Sequence, residues 1–251
     1  MNKKLAAVCL LLFAGAALAE DARQIVAESQ TRAHAKSKQY EGTLEVTGSS
    51  NNVSIKRWTY QRIGSSGESK VLLRFTAPPE VKGVALLIVN HPDRASEQWL
   101  WTPAIDRGRR IALQDRSTRF FGTTYSFEDL EERDVNQFDY KLLGNDAIDN
   151  QPCWKIESRP KDSKSSQYTS SVLWIRKDNY VPAQMENFDR DKLVRRIRYT
   201  NIQAVDGIWT PRTIDVLDVP HQSRTVMKLE KVEYNVPLNE NDFTPEALGA
   251  H

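Results

Sequence analysis

Short runs of strand-forming residues, separated by turn residues, make up almost all of the sequence from Tyr40 onward. Turn sequences such as Ser49-Ser-Asn-Asn52 and Asp206-Gly207 separate the runs, so neighbouring strands are expected to pair antiparallel. A single sheet of about a dozen strands cannot stay flat and open: it must close, split into a sandwich, or curl and be covered. The strands are predicted at residues 41–48, 53–63, 69–76, 84–90, 97–102, 109–114, 138–143, 152–159, 170–176, 183–188, 193–202, 208–218 and 224–235.

Alternation along these runs indicates which face of the predicted sheet is apolar. Trp58 and Tyr60 share one side of their strand, and Val71, Leu73 and Phe75 share one side of the next. The other side of both runs is mostly polar. One face of this part of the sheet is therefore predicted to be buried and the other to face water.

Two later runs carry tryptophans at strand spacing. Trp99 and Trp101 lie on the side opposite Leu100, and in the run 170–176 the side of Trp174 and the side opposite it are both apolar. We expect the tryptophan side to join the apolar face of the sheet.

Helical material is scarce in this sequence. Residues 21–37 are predicted to form a helix that begins at Asp21 and places Ala22, Ile25 and Val26 on one face. A second, short helical turn is expected near residues 126–130. Two small helices can cap a curled sheet but cannot cover both of its faces.

The N-terminus has the features of a secretory signal peptide. Lys3 and Lys4 precede an uncharged run that ends in Ala17-Leu18-Ala19, the small-residue pattern of a cleavage site. The run is about 14 residues, shorter than the roughly 20 that a membrane-spanning helix needs. We therefore predict cleavage after Ala19 and export of the chain. Because no Gly/Ser-rich or Pro-rich linker follows, residues 20–251 are predicted to form a single domain.

Charge and cysteine content exclude several classes of protein. The chain has 35 Lys and Arg against 33 Asp and Glu, and removal of Lys3 and Lys4 leaves 33 of each. A neutral chain is not expected to bind nucleic acid. Cys153 is the one cysteine that would remain, so no internal disulfide is possible, and we expect it to be a buried residue of a strand.

The sequence has no recognisable catalytic, metal or cofactor site. The four histidines, which lie at positions 34, 91, 221 and 251, are scattered without metal-ligand spacing. Glycine-rich phosphate loops and nucleophile motifs are absent as well. We therefore predict that the protein is not an enzyme and binds no cofactor.

A basic run between residues 190 and 198 allows two interpretations. It is either the solvent face of an edge strand or a docking patch, formed by Arg195, Arg196 and Arg198, for an acidic partner or lipid head groups. The aromatic residues of the strands allow two interpretations as well, because they can be plain core or the lining of a cavity.

A series of short motifs runs along the chain and is densest in residues 75–130. The motifs are Phe75, Pro78, Lys82-Gly83, Leu86-Leu87, Trp99-Leu-Trp-Thr-Pro-Ala104, Arg109-Arg-Ile111, Phe121-Gly122, Tyr125-Ser-Phe-Glu-Asp-Leu130, Leu173-Trp-Ile175, Val181-Pro182, Pro237-Leu238 and Asp242-Phe243. In these motifs the chain resembles the outer-membrane lipoprotein-sorting proteins, a family of LolA-like periplasmic proteins. The resemblance covers nearly the whole chain after residue 19, with Thr124 at a position where an acidic residue is expected.

This resemblance implies a mainly β fold with little helix: a curved antiparallel sheet that forms an incomplete, half-open β-barrel covered by short helices. It also implies a monomeric periplasmic carrier that moves a lipid, lipoprotein acyl chains or another hydrophobic cargo from the inner membrane toward the outer membrane. An inner-membrane exporter of the resistance-nodulation-division class or the ABC type would be its partner. The alternative is an envelope sensor or regulatory module on the same fold, similar to the LolA-like regulator of an anti-sigma pathway.

The carrier hypothesis assigns a hydrophobic cavity to the apolar face of the sheet. The residues predicted to line it are Trp58, Tyr60, Val71, Leu73, Phe75, Leu86, Ile88, Trp99, Trp101, Phe121 and Trp174.

Overall fold

The computed structural model describes residues 22–65 and 67–249, which form a helix, short 3-10 turns and thirteen β-strands. Residues 22–32 form helix α1. All of the predicted β runs are strands, with ends that differ by a few residues. The strands are β1 (Ser37–Thr47), β2 (Val53–Ser65), β3 (Glu68–Ala77), β4 (Ala85–Asn90), β5 (Glu97–Thr102), β6 (Arg107–Arg110), β7 (Phe138–Ile148), β8 (Gln151–Pro160), β9 (Ser170–Arg176), β10 (Pro182–Asp189), β11 (Lys192–Val205), β12 (Ile208–Asp218) and β13 (Ser223–Tyr234).

The thirteen strands form one antiparallel sheet in the order β6-β5-β4-β3-β2-β1-β13-β12-β11-β10-β9-β8-β7. Each half of the chain is a meander of hairpins, and the pairing of β1 with β13 joins the two halves in the middle of the sheet. The first and last strands are therefore central, while β6 and β7, which are consecutive in sequence, lie at opposite edges. The sheet does not close into a barrel, which confirms the half-open barrel that the resemblance to LolA-like proteins implied.

The sheet curls strongly. Gln98 on β5 donates a hydrogen bond to the carbonyl of Phe127, and Arg195 on β11 pairs with Asp129, two residues further along. The two strands are seven steps apart in the sheet, which corresponds to about 34 Å in a flat sheet. Two residues of chain span at most about 7 Å, so the sheet must curve around this segment.

Residues 111–137 connect the two edge strands and cross the concave side of the sheet. We call this segment the strap, the side that it covers the inner face, and the opposite side the outer face. The strap has little regular structure beyond 3-10 turns such as Glu128–Leu130. Its aromatic residues Phe120, Tyr125 and Phe127 are buried in the main hydrophobic core, against the inner face.

Helix α1 covers another part of the inner face. Ala22 and Val26 pack against Tyr140, Ile156 and Ile175 on β7, β8 and β9. The helical residues end at 32, earlier than predicted, because the chain turns and enters β1 at Ser37. Asp21, the predicted start of the helix, and the predicted signal peptide lie outside the described residues.

The C-terminal segment packs on the outer face. Phe243 and Leu248 contact the apolar outer sides of β3 and β4, and the Arg74 guanidinium donates a hydrogen bond to the carbonyl of Leu248. β3 and β4 therefore have one apolar side toward the strap and another toward the C-terminal segment. Within the described ranges, no helix has both the length and the apolar character needed to cross a membrane.

Cys153 lies in β8 and is fully buried, which confirms its predicted role as a buried strand residue. Burial raises the pKa of its thiol, and the side chain packs beside Trp174 and Ala183 on the outer face.

Candidate ligand cavity

A cavity of about 260 Å³ lies between the inner face and the strap. Strands from both halves of the chain supply an aromatic and aliphatic wall, and the strap supplies a wall that carries most of the charged groups. The strand residues of the lining are Tyr40, Trp58, Tyr60, Leu73, Phe138, Met185, Asn187, Ile197, Tyr199, Ile214 and Met227.

Three aromatic side chains form the densest part of the apolar wall. Tyr40 stacks on its cross-strand partner Tyr60 with ring centroids 4.4 Å apart, and Trp58 meets Tyr40 edge-on at 5.8 Å. Burial is the main cause that raises the pKa of both tyrosines. These hydroxyls are therefore neutral and do not act as bases at physiological pH.

A glycine on β1 makes room for this aromatic cluster. Gly42 pairs with Trp58, and a Cβ atom at this position would lie 2.6 Å from the carbonyl oxygen of Lys228 and 3.1 Å from the Trp58 indole nitrogen. A larger residue would push either the indole or β13 away. The absence of a side chain at Gly42 thus lets the indole lie close to β1.

The strap is held to the sheet by an aromatic cluster on the inner face. Phe120 stacks on Phe75 with centroids 5.3 Å apart, and Phe121 and Phe127 meet Phe120 edge-on. Nearby, the backbone N–H of Thr124 donates a hydrogen bond to the hydroxyl of Thr225 on β13. These contacts fix the strap over the middle of the sheet.

One short stretch of the strap also places three carboxylates beside arginines. Each of these carboxylates lines the cavity, and each pairs with an arginine that is itself mostly buried. The pairs are Asp129 with Arg195 of β11, Glu131 with Arg116 of the strap, and Glu132 with Arg62 of β2. Ion pairing thus neutralises most of the charge that the strap brings to the cavity.

Asp218 on β12 extends the first of these pairs. It lies within 3.5 Å of Arg195 and 2.5 Å of Arg119 of the strap. Although burial acts to raise it, the pKa of Asp218 is held below its usual value by hydrogen bonds from His221 and Arg119. The carboxylate is therefore ionised at neutral pH and links the strap to two strands.

Eight of the predicted lining residues lie on the inner face or on the strap. Trp58, Tyr60 and Leu73 line the cavity itself. Phe121 is a partly buried strap residue beside Phe75. The others are buried in the hydrophobic core under the strap and do not reach the cavity: Val71, Phe75, Leu86 and Ile88.

Trp99, Trp101 and Trp174 lie on the outer face, and their predicted place in the cavity lining is corrected accordingly. Trp99 and Trp101 pack beside the C-terminal segment, and the indole N–H of Trp174 donates a hydrogen bond to Asp146. β9 is apolar on both sides, and β5 carries Leu100 opposite its tryptophans, so alternation alone could not show which side faces inward. In β5 it is Leu100 that points toward the strap.

The predicted docking patch is divided between the two faces. Arg195 is buried at the strap, so the proposal that it meets a partner on an exposed surface is corrected. Arg196 and Arg198 lie on the outer side of β11, where they pair with Glu186 and Asp149. Since β11 lies between β10 and β12, it is not an edge strand either.

Sequence reasoning missed the half of the cavity that comes from β10 to β13. Met185 pairs with Ile197, and Ile214 pairs with Met227, so that all four lie on the inner face. Their alternation was visible in the sequence, but it became a cavity signal only once the pairing of β1 with β13 placed them beside Tyr40 and Trp58.

A family model described as "Uncharacterized protein" matches residues 67–250, which is more than half of the chain. No curated protein matches the sequence.

Solved structures match the chain over most of its length. A domain described as an outer membrane lipoprotein-sorting protein from Vibrio parahaemolyticus is 26% identical, with a TM-score of 0.87, and the match covers 92% of this chain and 99% of that one. A protein of a family of unknown function from Desulfovibrio piger is 24% identical, with a TM-score of 0.88 and the same coverage. A LolA superfamily protein from Nitrosomonas europaea is 21% identical, with a TM-score of 0.71, and the match covers 89% and 97% of the two chains.

Proposed function

Because the chain belongs to the family whose model matches residues 67–250 and has the LolA-superfamily fold, we propose that it is a carrier of hydrophobic cargo in the cell envelope. The observation that carries this proposal is the cavity between the inner face and the strap, with Tyr40, Trp58 and Tyr60 in its wall. A cargo chain would lie along this wall and be covered by the strap.

The energetics of a lipid chain in water explain why such a cavity is useful. Exposing an acyl chain costs about 0.8 kcal/mol per methylene, which amounts to on the order of 10 kcal/mol for a fatty chain. The cavity volume of about 260 Å³ is just below the roughly 300 Å³ at the lower end of typical ligand pockets. A long chain therefore requires the strap to shift outward as the cargo enters.

The route that fits this role runs through the periplasm. The signal-like N-terminus would export the chain, and an inner-membrane exporter of the resistance-nodulation-division class or the ABC type would load it. The cargo, a lipid or the acyl chains of a lipoprotein, would then pass toward the outer membrane.

We further propose that the protein acts without catalysis. The carboxylates Asp129, Glu131 and Glu132 are engaged with arginines, and the buried tyrosines of the wall have raised pKa values. None of these groups is available as a general base.

Ligand binding to a cavity-filling variant tests the carrier proposal. Ile214 lines the cavity, and Leu217 lies on the opposite side of the same strand. Ile214→Trp should abolish saturable displacement of a fluorescent fatty acid, whereas Leu217→Trp should leave it intact. Mass spectrometry of the gently purified protein should show a co-purified lipid in the wild type and the Leu217 variant alone. Absence of any lipid together with non-saturable binding by the wild type would refute the carrier function.

A further inference from the structure

Arg133, at the end of the strap, is a cavity arginine without a carboxylate partner among the described residues. Its guanidinium donates hydrogen bonds to the hydroxyls of Ser158 and Ser171, both at 3.1 Å, and lies 3.7 Å from the sulfur of Met185. It also stacks on the ring of Phe138, 4.2 Å from the centroid. All four of these neighbours are neutral.

Three other arginines lie in the cavity lining or pair with its carboxylates, and all three have a carboxylate partner. Arg62, Arg116 and Arg195 each have a carboxylate within 4 Å. Glu128 is the strap carboxylate that remains, and it accepts hydrogen bonds from the Ser166 hydroxyl and the Gln167 backbone N–H. Arg133 thus brings a positive charge to the cavity that no adjacent carboxylate balances.

A guanidinium in such a place is costly. Removing the charge from water lowers the pKa of Arg133, even though the more distant charge of Glu128 acts in the opposite direction. An arginine has five N–H groups, and the contacts with Ser158, Ser171 and Met185 use three of them. The remaining N–H groups are free to bind another acceptor in the described structure.

Polar side chains form a row on the sheet beneath Arg133. Ser158 on β8, Ser171 on β9 and Asn187 on β10 are register partners, so that they lie side by side on the inner face. Asn187 lines the cavity and is only 1% exposed, yet its side-chain oxygen has no hydrogen-bond partner among the described residues. A buried polar atom of this kind indicates a missing partner.

The row is suited to an anion as well as to the arginine. The two serine hydroxyls accept from Arg133, so each keeps its own O–H to donate. The unpartnered oxygen of Asn187 is an acceptor, so Asn187 joins the donors only after a half-turn of its amide, which presents the N–H groups to the same place. Together with the guanidinium, these groups form a set of donors at one end of an otherwise apolar wall.

We propose that Arg133, with Ser158, Ser171 and Asn187, binds the anionic head group of an amphiphilic cargo, a carboxylate or a phosphate whose chain extends along the aromatic wall. This inference rests on the proposed carrier function and specifies its cargo as acidic. Arginine suits both head groups because its planar fork pairs with two oxygens at once.

Ligands that share one chain length and differ in head group test the proposal. We would measure the affinity of the delipidated full chain for dodecanoate, dodecyl phosphate and dodecanol by displacement of a fluorescent fatty acid at pH 8. Since a hydrogen bond to a charged group contributes more than a neutral one, both anions should bind at least about tenfold more tightly than the alcohol. Inorganic phosphate, which has the charge without the chain, should not compete at millimolar concentration.

Variants of the arginine identify its contribution. Arg133→Gln should remove the preference for the anions and leave dodecanol binding unchanged, while Arg133→Lys should keep part of the preference. Arg159→Gln is the matched control, since this residue follows Ser158 in β8 with a side chain that is 58% exposed, and it should behave as the wild type. Unchanged dodecanol affinity also reports that a variant is folded. If Arg133→Gln does not fold, Ser158→Ala with Ser171→Ala should weaken dodecanoate binding selectively.

The outcomes separate the two proposals. If the wild type binds none of the three chain-bearing ligands, the carrier function itself fails. If the wild type binds dodecanol as tightly as dodecanoate, or if Arg133→Gln keeps the preference for anions, the acidic cargo is refuted and the carrier function stands. Competition by inorganic phosphate as strong as that by dodecyl phosphate would show an ion site instead of an amphiphile site, and would also overturn the inference.

Discussion

Replacing Arg195 with methionine should loosen the strap from the sheet. Arg195 pairs with Asp129 of the strap and lies within 3.5 Å of Asp218 on β12. The side chains of these three residues are 8%, 3% and 5% exposed. Methionine fills a similar volume without the charge, so the variant leaves Asp129 as a buried carboxylate that has lost its ion pair.

The expected cost follows from the partners that remain. Removing one member of a buried ion pair costs about 3–5 kcal/mol. Asp129 keeps hydrogen bonds from the backbone and hydroxyl of Ser126 and from the hydroxyl of Tyr168, and Asp218 keeps Arg119. We therefore expect the lower end of that range, about 3 kcal/mol, which for a domain of this size lowers the Tm by about 6–12 °C.

Chemical denaturation at pH 7 measures this cost, and hydrogen exchange locates it. Exchange of the strap amides should become faster than exchange in the central strands, since the strap loses its link to β11. Arg196→Met is the matched control, because this side chain lies on the outer face, is 42% exposed and pairs with Glu186. A half-exposed pair of this kind contributes at most about 1 kcal/mol.

A second change separates ion pairing from packing. Adding Asp129→Asn to Arg195→Met removes the uncompensated carboxylate and should recover part of the lost stability. Equal destabilisation by Arg195→Met and Arg196→Met would refute the strap as an electrostatically fixed element. A double variant with Asp129→Asn that recovers none of the lost stability would refute it as well.

Two further predictions concern the outer face and a partly buried lysine. Because Trp101 packs beside the C-terminal segment, Trp101→Ala should lower the free energy of unfolding by about 3 kcal/mol. It should leave fatty-acid displacement unchanged, whereas Trp58→Ala, in the cavity wall, should weaken displacement. Equal weakening by both variants would contradict the assignment of faces. Lys38 lies among the rings of Tyr40, Tyr60 and Tyr234, and burial lowers its pKa to about 8. In the unfolded chain the lysine keeps its proton up to about pH 10.4, so the folded protein gains stability as the pH rises above about 8. The free energy of unfolding of the wild type, relative to that of Lys38→Met, should therefore rise by about 2 kcal/mol from about pH 7 to about pH 9.5. A difference between the two proteins that does not change with pH would contradict the lowered pKa.

The strands were predictable because their signals are local. Each run is bounded by turn residues, and each hairpin pairs with its neighbour in sequence. The ends were less certain where a strand is short and polar: β6 is Arg107–Arg110, not residues 109–114, since all of its side chains are exposed and give no alternation.

The two faces of the sheet were harder to distinguish. In β3 and β4, apolar residues such as Leu72 and Leu87 alternate with equally apolar Leu73 and Leu86, because the strap covers one side and the C-terminal segment the other. In β5, alternation predicts that the side of Trp99 and Trp101 joins the apolar inner face, but Trp101 lies on the outer face. The decisive contact, with a segment more than 130 residues later in the chain, leaves no trace in the local pattern.

The charged groups of the strap show the same limitation. Arg195 and Arg196 are neighbours in a basic run, yet alternation in β11 sends the first inward to Asp129 and the second outward to Glu186. Arg133 has no distinctive sequence context at all. Its significance appears only when the register of β8, β9 and β10 places Ser158, Ser171 and Asn187 beneath it.

The pairing of β1 with β13 explains why binding groups gather on the strap. It makes the first and last strands central, so the two strands that flank residues 111–137 must lie at opposite edges of the sheet. A connection between those edges has to cross one face, and the apolar side chains of the strap favour the concave one. The strap therefore covers the cavity and supplies Arg133 to it, and any movement that admits a cargo also moves the group that we propose binds its head.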